Sequence, residues 1–360
     1  MATKNDLCIE TREIWPDIIR IIAVFAVIVV HAATEGFYNQ FTARSAEWLV
    51  CNFYDSICRF CVPVFVMISG MFLLKPTKEY SIKKLYFVKI FRICMIYLFW
   101  AVFYAVFPIA RAYLNGANTP ELVRLLFTKI MMGYYHLWFL FMVSGLYIIT
   151  PILRYIVKNK ELTNYYLVLA LIFVFGVNIL TLCPFVKEII TCSLIRLDVK
   201  LVAGYSGYFI WGYWLSQHHL APRTRKIIYA GGIFAALGTA GINGFIGFKL
   251  GIRGGWLYNY LLPNVLMMST AVFVFCQYCF SQKQISPKWG NFIHIAGKLS
   301  LGIYLIHVFI LEFVMRRIGL PSFFLHPVFS IPITSVAVFV ISFIFVAIFA
   351  RIPFLNKFVM

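Results

Sequence analysis

The chain has 360 residues, 62% of them apolar and 12% charged, with a mean hydropathy of +0.86, more apolar surface than a water-soluble domain can hide. Its net charge of +19 arises from 32 Lys and Arg against 13 Asp and Glu. On a soluble protein that excess would suggest nucleic acid, but here the cations fall mostly between apolar runs, where they orient a membrane protein.

The first thirteen residues are mostly polar. The first apolar run carries Arg20 within it and has no small-residue cleavage site after it, which predicts an uncleaved first span rather than a signal peptide. About ten apolar windows of the roughly twenty residues needed to cross a bilayer follow in order: 14–34, 50–74, 86–110, 137–157, 164–186, 202–219, 227–248, 258–281, 298–318 and 326–350. They are predicted as helices, because a lipid-buried segment must satisfy its own backbone hydrogen bonds and barrel strands would alternate polar with apolar. The expected fold is all-α, a polytopic membrane bundle of about ten transmembrane helices forming a single membrane domain over residues 1–360. Lys and Arg favour one set of alternate loops by nearly two to one, so both termini are expected on the cytoplasmic side. The nine cysteines are an odd number and lie mostly within apolar runs. Cys58-x-x-Cys61 and Cys276-x-x-Cys279 therefore read as packing residues, with no disulfide framework and no metal site expected.

The informative residues are the ionisable ones at bilayer depth, where a charge is costly unless it meets a partner or water. In the first span Arg20 and His31 are eleven residues apart. At 100° per residue they share one helix face about 16.5 Å apart, a cation near the cytoplasmic end and an imidazole toward the outer leaflet. Asp17, three residues before Arg20, is placed to hold its guanidinium. The second span carries Asp55 and Arg59 at i, i+4, read as a structural ion pair, then Pro63 and Ser69-Gly70, suited to close helix approach or ligand contact. In the basic stretch that follows, Lys75 and Lys78 read as membrane anchors, whereas Lys89 and Arg92, one turn apart on the same side as Arg20, suit a phosphorylated ligand entering from the cytosol. His136 and Trp138 open the fourth span at the outer interface, Trp138 as a belt residue and His136 within reach of His31. His307 is a further buried histidine, and Glu312 is expected to pair with Arg316 at i+4. His218, His219, His294 and His326 fall at loop edges and carry little signal.

These residues, taken together and in order, resemble the acyltransferase 3 family of integral membrane O-acyltransferases over most of the chain. Asp17-Ile-Ile-Arg20 continuing to His31 resembles the family's opening motif, and Arg59 through Val62-Pro63-Val64-Phe65 to Ser69-Gly70 resembles its second-helix motif. Lys89-Ile-Phe-Arg92 resembles its Arg-x-x-Arg, with Lys in the first place. His136-Leu-Trp138-Phe139-Leu140 and Ser300-Leu-Gly-Ile-Tyr304-Leu-Ile-His307 complete the set. In length and motif wording the chain is most similar to O-acetyltransferases of bacterial surface glycans, of the kind that modifies enterobacterial common antigen. The resemblance implies a cell-membrane enzyme that moves an acyl group, acetyl first, from cytosolic acyl-CoA as co-substrate to a hydroxyl of a surface polysaccharide or lipid-linked glycan. His31 would be the catalytic base and Arg20, Lys89 and Arg92 the acyl-CoA grip. Asp17, Arg59, Ser69, His136, Trp138, Tyr304 and His307 would support them, with Ser69, Tyr304 and Trp138 unranked as oxyanion donors. The competing reading is a transporter or flippase of a lipid-linked glycan. The absence of an internal repeat or of matched broken helices counts against it.

Overall fold

The computed structural model describes residues 13–75, 81–183, 186–187, 204–281, 283, 285–317 and 323–359. The architecture is an all-helical membrane bundle: among the described residues nine helical stretches are long and apolar enough to cross a bilayer. The principal helices in chain order are α1 (Trp15–Glu35), α2 (Ala46–Cys58), α3 (Cys61–Leu73), α4 (Phe91–Leu114), α5 (Thr119–Met132), α6 (Trp138–Ile156), α7 (Lys160–Ala170), α8 (Ser206–Gln217), α9 (Pro222–Leu250), α10 (Pro263–Phe280), α11 (Pro287–Phe309) and α12 (Pro327–Arg351). Of the ten expected spans, the one at 202–219 is described as α8, whose 12 residues make a rod of about 18 Å, too short to cross alone. Lys78, read as an anchor, lies outside the described residues.

Local chemistry starts and stops these helices. Four of them, α9, α10, α11 and α12, open on a proline, which fits the first turn because its missing N–H would be unpaired there anyway. The Ser45 side chain caps α2 by accepting from the Trp48 N–H, and Gly251 ends α9 at φ +67, a left-handed position that glycine adopts freely. The stretch between the third and fourth expected spans contains a further helix. Asn118 accepts from the Glu121 N–H at 3.0 Å while Glu121 accepts from the Asn118 N–H at 3.1 Å, a reciprocal capping box that starts α5. Glu121, Arg124 and Lys129 lower its hydropathy, and none of its residues is buried.

The core gathers around α1, which packs against α2, α3, α10, α11 and α12. Backbones meet most closely between α3 and α8, where a β-carbon on Gly70 would overlap the carbonyl of Phe209 and one on Gly212 would overlap that of Met67. The Ser69-Gly70 pair is thus a helix-packing device at Gly70. Gly70→Ala is expected to cost about 1–3 kcal/mol or more by forcing two backbones apart, read as a lower midpoint in thermal unfolding in detergent. An unchanged midpoint would mean that this contact does not constrain the bundle.

Candidate active site

Helix α1 carries Arg20 and His31 on a strip that protein otherwise covers. Arg20 is 26% exposed by side chain and His31 half-buried. Between them on the same face, Val24 and Val27 are 0% and 3% exposed, whereas Ile18, Ile22 and Phe25 on the opposite side are half-buried. Arg20 and His31 therefore turn into the bundle, and the two valines close the strip that joins them, so any passage runs beside it.

At the N-terminal end of the strip Arg20 donates to Asp17 Oδ1 at 2.8 Å, and its guanidinium lies 5.1 Å from the centre of the Phe72 ring at the end of α3. The other oxygen of Asp17 faces His294 Nδ1 at 3.1 Å. Asp17 is almost wholly buried and so ties α1 to α11, which approaches it through Gly297. His294, dismissed as a loop-edge residue, is thus part of the Arg20 cluster. Nothing local in the sequence reveals a partner 277 residues away. Lys89 lies in a π-helical segment, Leu85–Ile90, that leads into α4 and packs on α6, and Arg92 follows on the first turn of α4; Lys89 is half-buried and Arg92 exposed. Arg154, near the end of α6, donates to the Leu73 carbonyl at 3.3 Å, which adds a cation close to the end of α3.

At the other end of the strip three histidines meet. The His31 ring is 5.1 Å from His307, and His307 is 5.6 Å from His136, so His307 lies between the other two. His307 and His136 are almost fully buried. His307 Nδ1 faces the Tyr304 carbonyl at 2.6 Å and His136 Nε2 faces the Leu305 carbonyl at 3.2 Å. Carbonyls only accept, so those nitrogens carry the protons. This leaves His307 Nε2 and His136 Nδ1 as buried acceptors without a donor. His31 alone of the three keeps partial access. Among the described residues no group of three or more His, Cys, Asp and Glu is arranged to hold a metal ion.

Glu312 does not pair with Arg316. It lies on a π-helical turn, Ile310–Val314, and accepts from the Tyr134 hydroxyl at 2.5 Å and the Tyr135 hydroxyl at 2.8 Å, while Arg316 reaches Glu35 at 2.7 Å. The i, i+4 rule assumes an α-helical turn, and the wider π turn alters that spacing. The Tyr135 ring, held by Glu312, lies 5.4 Å from His31.

Arg59 completes the site from the break between α2 and α3. It donates to Asp55 at 2.6 Å, and its guanidinium lies 4.1 Å from the Tyr258 ring and 5.7 Å from the Tyr260 ring, both on the loop before α10. Burial keeps these two phenols well above their usual range, hence neutral beside the cation. Arg59 lies within electrostatic reach of His31, and its Nε is buried without a partner. Trp138, 39% exposed, stacks on Tyr260 with ring centres 6.2 Å apart, so it belongs to this aromatic wall. The hydroxyls of the other two oxyanion candidates are already engaged: Ser69 donates to the Phe65 carbonyl at 2.8 Å and Tyr304 to the carbonyl of His136.

No curated protein and no solved structure matches the chain. A family model described as an acyltransferase domain, acyltransferase 3, matches residues 13–350. That match takes in both ends of the α1 strip, the Arg59 break and the helices that carry His136 and His307. The chain belongs to the acyltransferase 3 family of membrane acyltransferases.

Proposed function

We propose that the protein is an O-acyltransferase of the bacterial cell membrane, with both termini cytoplasmic, that moves an acyl group, acetyl first, from cytosolic acyl-CoA to a hydroxyl of a surface or lipid-linked glycan. The observation that carries this reading is the covered strip on α1, with a cation held by Asp17 at one end and a partly accessible imidazole at the other. Arg20, with Lys89 and Arg92, grips the donor's phosphates. His31 takes the proton of the acceptor hydroxyl as its oxygen bonds to the thioester carbonyl. The tetrahedral intermediate collapses with loss of the C–S bond, and the departing thiolate takes up a proton to leave as free CoA. Arg59 Nε and the Trp138 indole N–H are the donors left to meet the oxyanion, since the hydroxyls of Ser69 and Tyr304 are engaged.

The test is release of free thiol by purified protein given acetyl-CoA and an acceptor oligosaccharide. Arg20→Gln takes the guanidinium away from buried Asp17 and so is expected to lower folded yield. In the folded fraction it is also expected to raise the KM for acetyl-CoA about tenfold or more, as for loss of a charge-assisted contact worth about 1.5–3 kcal/mol. An unchanged KM would remove Arg20 from donor binding. No thiol release on any acceptor tried would favour transport of the glycan instead.

A further inference from the structure

Beside the histidine cluster lies a cavity of about 470 Å³ between α4 and α5, within the range of about 300–1,000 Å³ typical of small-molecule sites. Three smaller cavities elsewhere are lined almost entirely by apolar side chains, as a groove for lipid chains would be. This one is mixed. Tyr104, Tyr134, Tyr135 and Phe313 form its aromatic wall, and Arg111 from α4 and Lys129 from α5 line it as cations. Both cations are exposed, and neither has a carboxylate partner among the described residues. The nearby carboxylate of Glu312 is occupied by the Tyr134 and Tyr135 hydroxyls, which fixes the two rings in the cavity wall. Tyr135 is shared: its ring lines the cavity and lies 5.4 Å from His31. The Tyr97 hydroxyl donates to the Ile130 carbonyl at 2.7 Å and pins the end of α5 against α4, so the cavity has a fixed frame.

We propose that this cavity is the acceptor site and that the acceptor is an anionic saccharide, bearing a carboxylate or phosphate. Aromatic faces accept the apolar C–H face of a pyranose ring. Two unpaired cations select a negative group and discriminate against a neutral sugar. Tyr135 then places a sugar hydroxyl toward His31. The inference rests on the O-acyltransferase reading for its biological meaning, but the site is testable without turnover.

The experiment measures binding in the absence of any acyl donor, with the protein in nanodiscs of phosphatidylcholine alone so that no anionic headgroup is present. The probes are a glucuronate-containing tetrasaccharide and its carboxyl-reduced, neutral counterpart. The acidic probe is expected to bind at least about tenfold more tightly, with Arg111→Ala and Lys129→Ala each weakening it about fivefold to tenfold. Arg124→Ala, an exposed cation on α5 outside the cavity wall, should leave binding unchanged. Equal affinity for the two probes, or equal loss in the Arg124 variant, overturns the proposal. Replacement of part of the phosphatidylcholine by phosphatidylglycerol distinguishes the remaining source of negative charge. Loss of saccharide binding in those discs, with phosphatidylglycerol retained through Arg111 and Lys129, assigns the cavity to a lipid headgroup and also overturns the proposal. Failure of saccharide binding leaves the thiol-release test standing, and failure of thiol release leaves the binding result standing, so the two readings fall separately.

Discussion

His31→Ala is expected to lower thiol release by about 10²-fold to 10⁴-fold, the loss typical when a general base is removed, while the variant still inserts and runs as a folded species on size exclusion. The separation of activity from folding follows from contacts. His31 has no protein hydrogen bond among the described residues and keeps partial access, so its removal leaves no buried group newly unpaired. His136 is the contrasting case. Its buried ring packs against Tyr104, Tyr304 and His307 and meets the Leu305 carbonyl, so His136→Ala opens a cavity and is expected to lower folded yield together with activity. Turnover that survives His31→Ala would move the catalytic role elsewhere, and equal folding losses in the two variants would make the cluster structural throughout.

The second large effect is at Arg59. Arg59→Met leaves the carboxylate of Asp55, 0% exposed, without its cation, which is expected to cost about 3–5 kcal/mol of stability. The double variant Asp55→Leu/Arg59→Met removes both charges and is expected to recover most of that stability, since replacing a buried pair by apolar residues is often neutral. It is not expected to recover thiol release, because the unpaired Nε assigned to the oxyanion is gone. Unfolding midpoints and kcat on the same preparations decide the matter. Recovery of both would confine Arg59 to a structural role.

The helical membrane fold was legible in the sequence because apolar run length alone encodes it. So was the shared face of Arg20 and His31, since one helix obeys one rotation per residue and Val24 and Val27 fall between them on that face. Pairs that depend on tertiary structure were not legible. His294 meets Asp17, Tyr134 and Tyr135 meet Glu312, and Tyr258 and Tyr260 close over Arg59, and in each case the partners lie far apart in the chain with no periodicity linking them. Helix α5 was hidden for a different reason: its capping box is a local signal, but its exposed charges keep it below the hydropathy that marks a span. The resemblance to the family reached the positions of His136 and His307 without showing that His307 would stand between His136 and His31.

The π turn at Ile310–Val314 has a consequence for how this end of the molecule tolerates insertions and deletions. A π turn accommodates one residue more than the α-helical path around it, so the rotational setting of everything beyond it depends on a single residue of chain length. Excising one residue there would turn the downstream segment by about 100°, carrying Arg316 away from Glu35, while His307, upstream, kept its bearing. His307 and the Arg316–Glu35 contact are thus indexed separately along one continuous rod, whereas Glu312, on the turn itself, would carry its hold on Tyr134 and Tyr135 with any change of length.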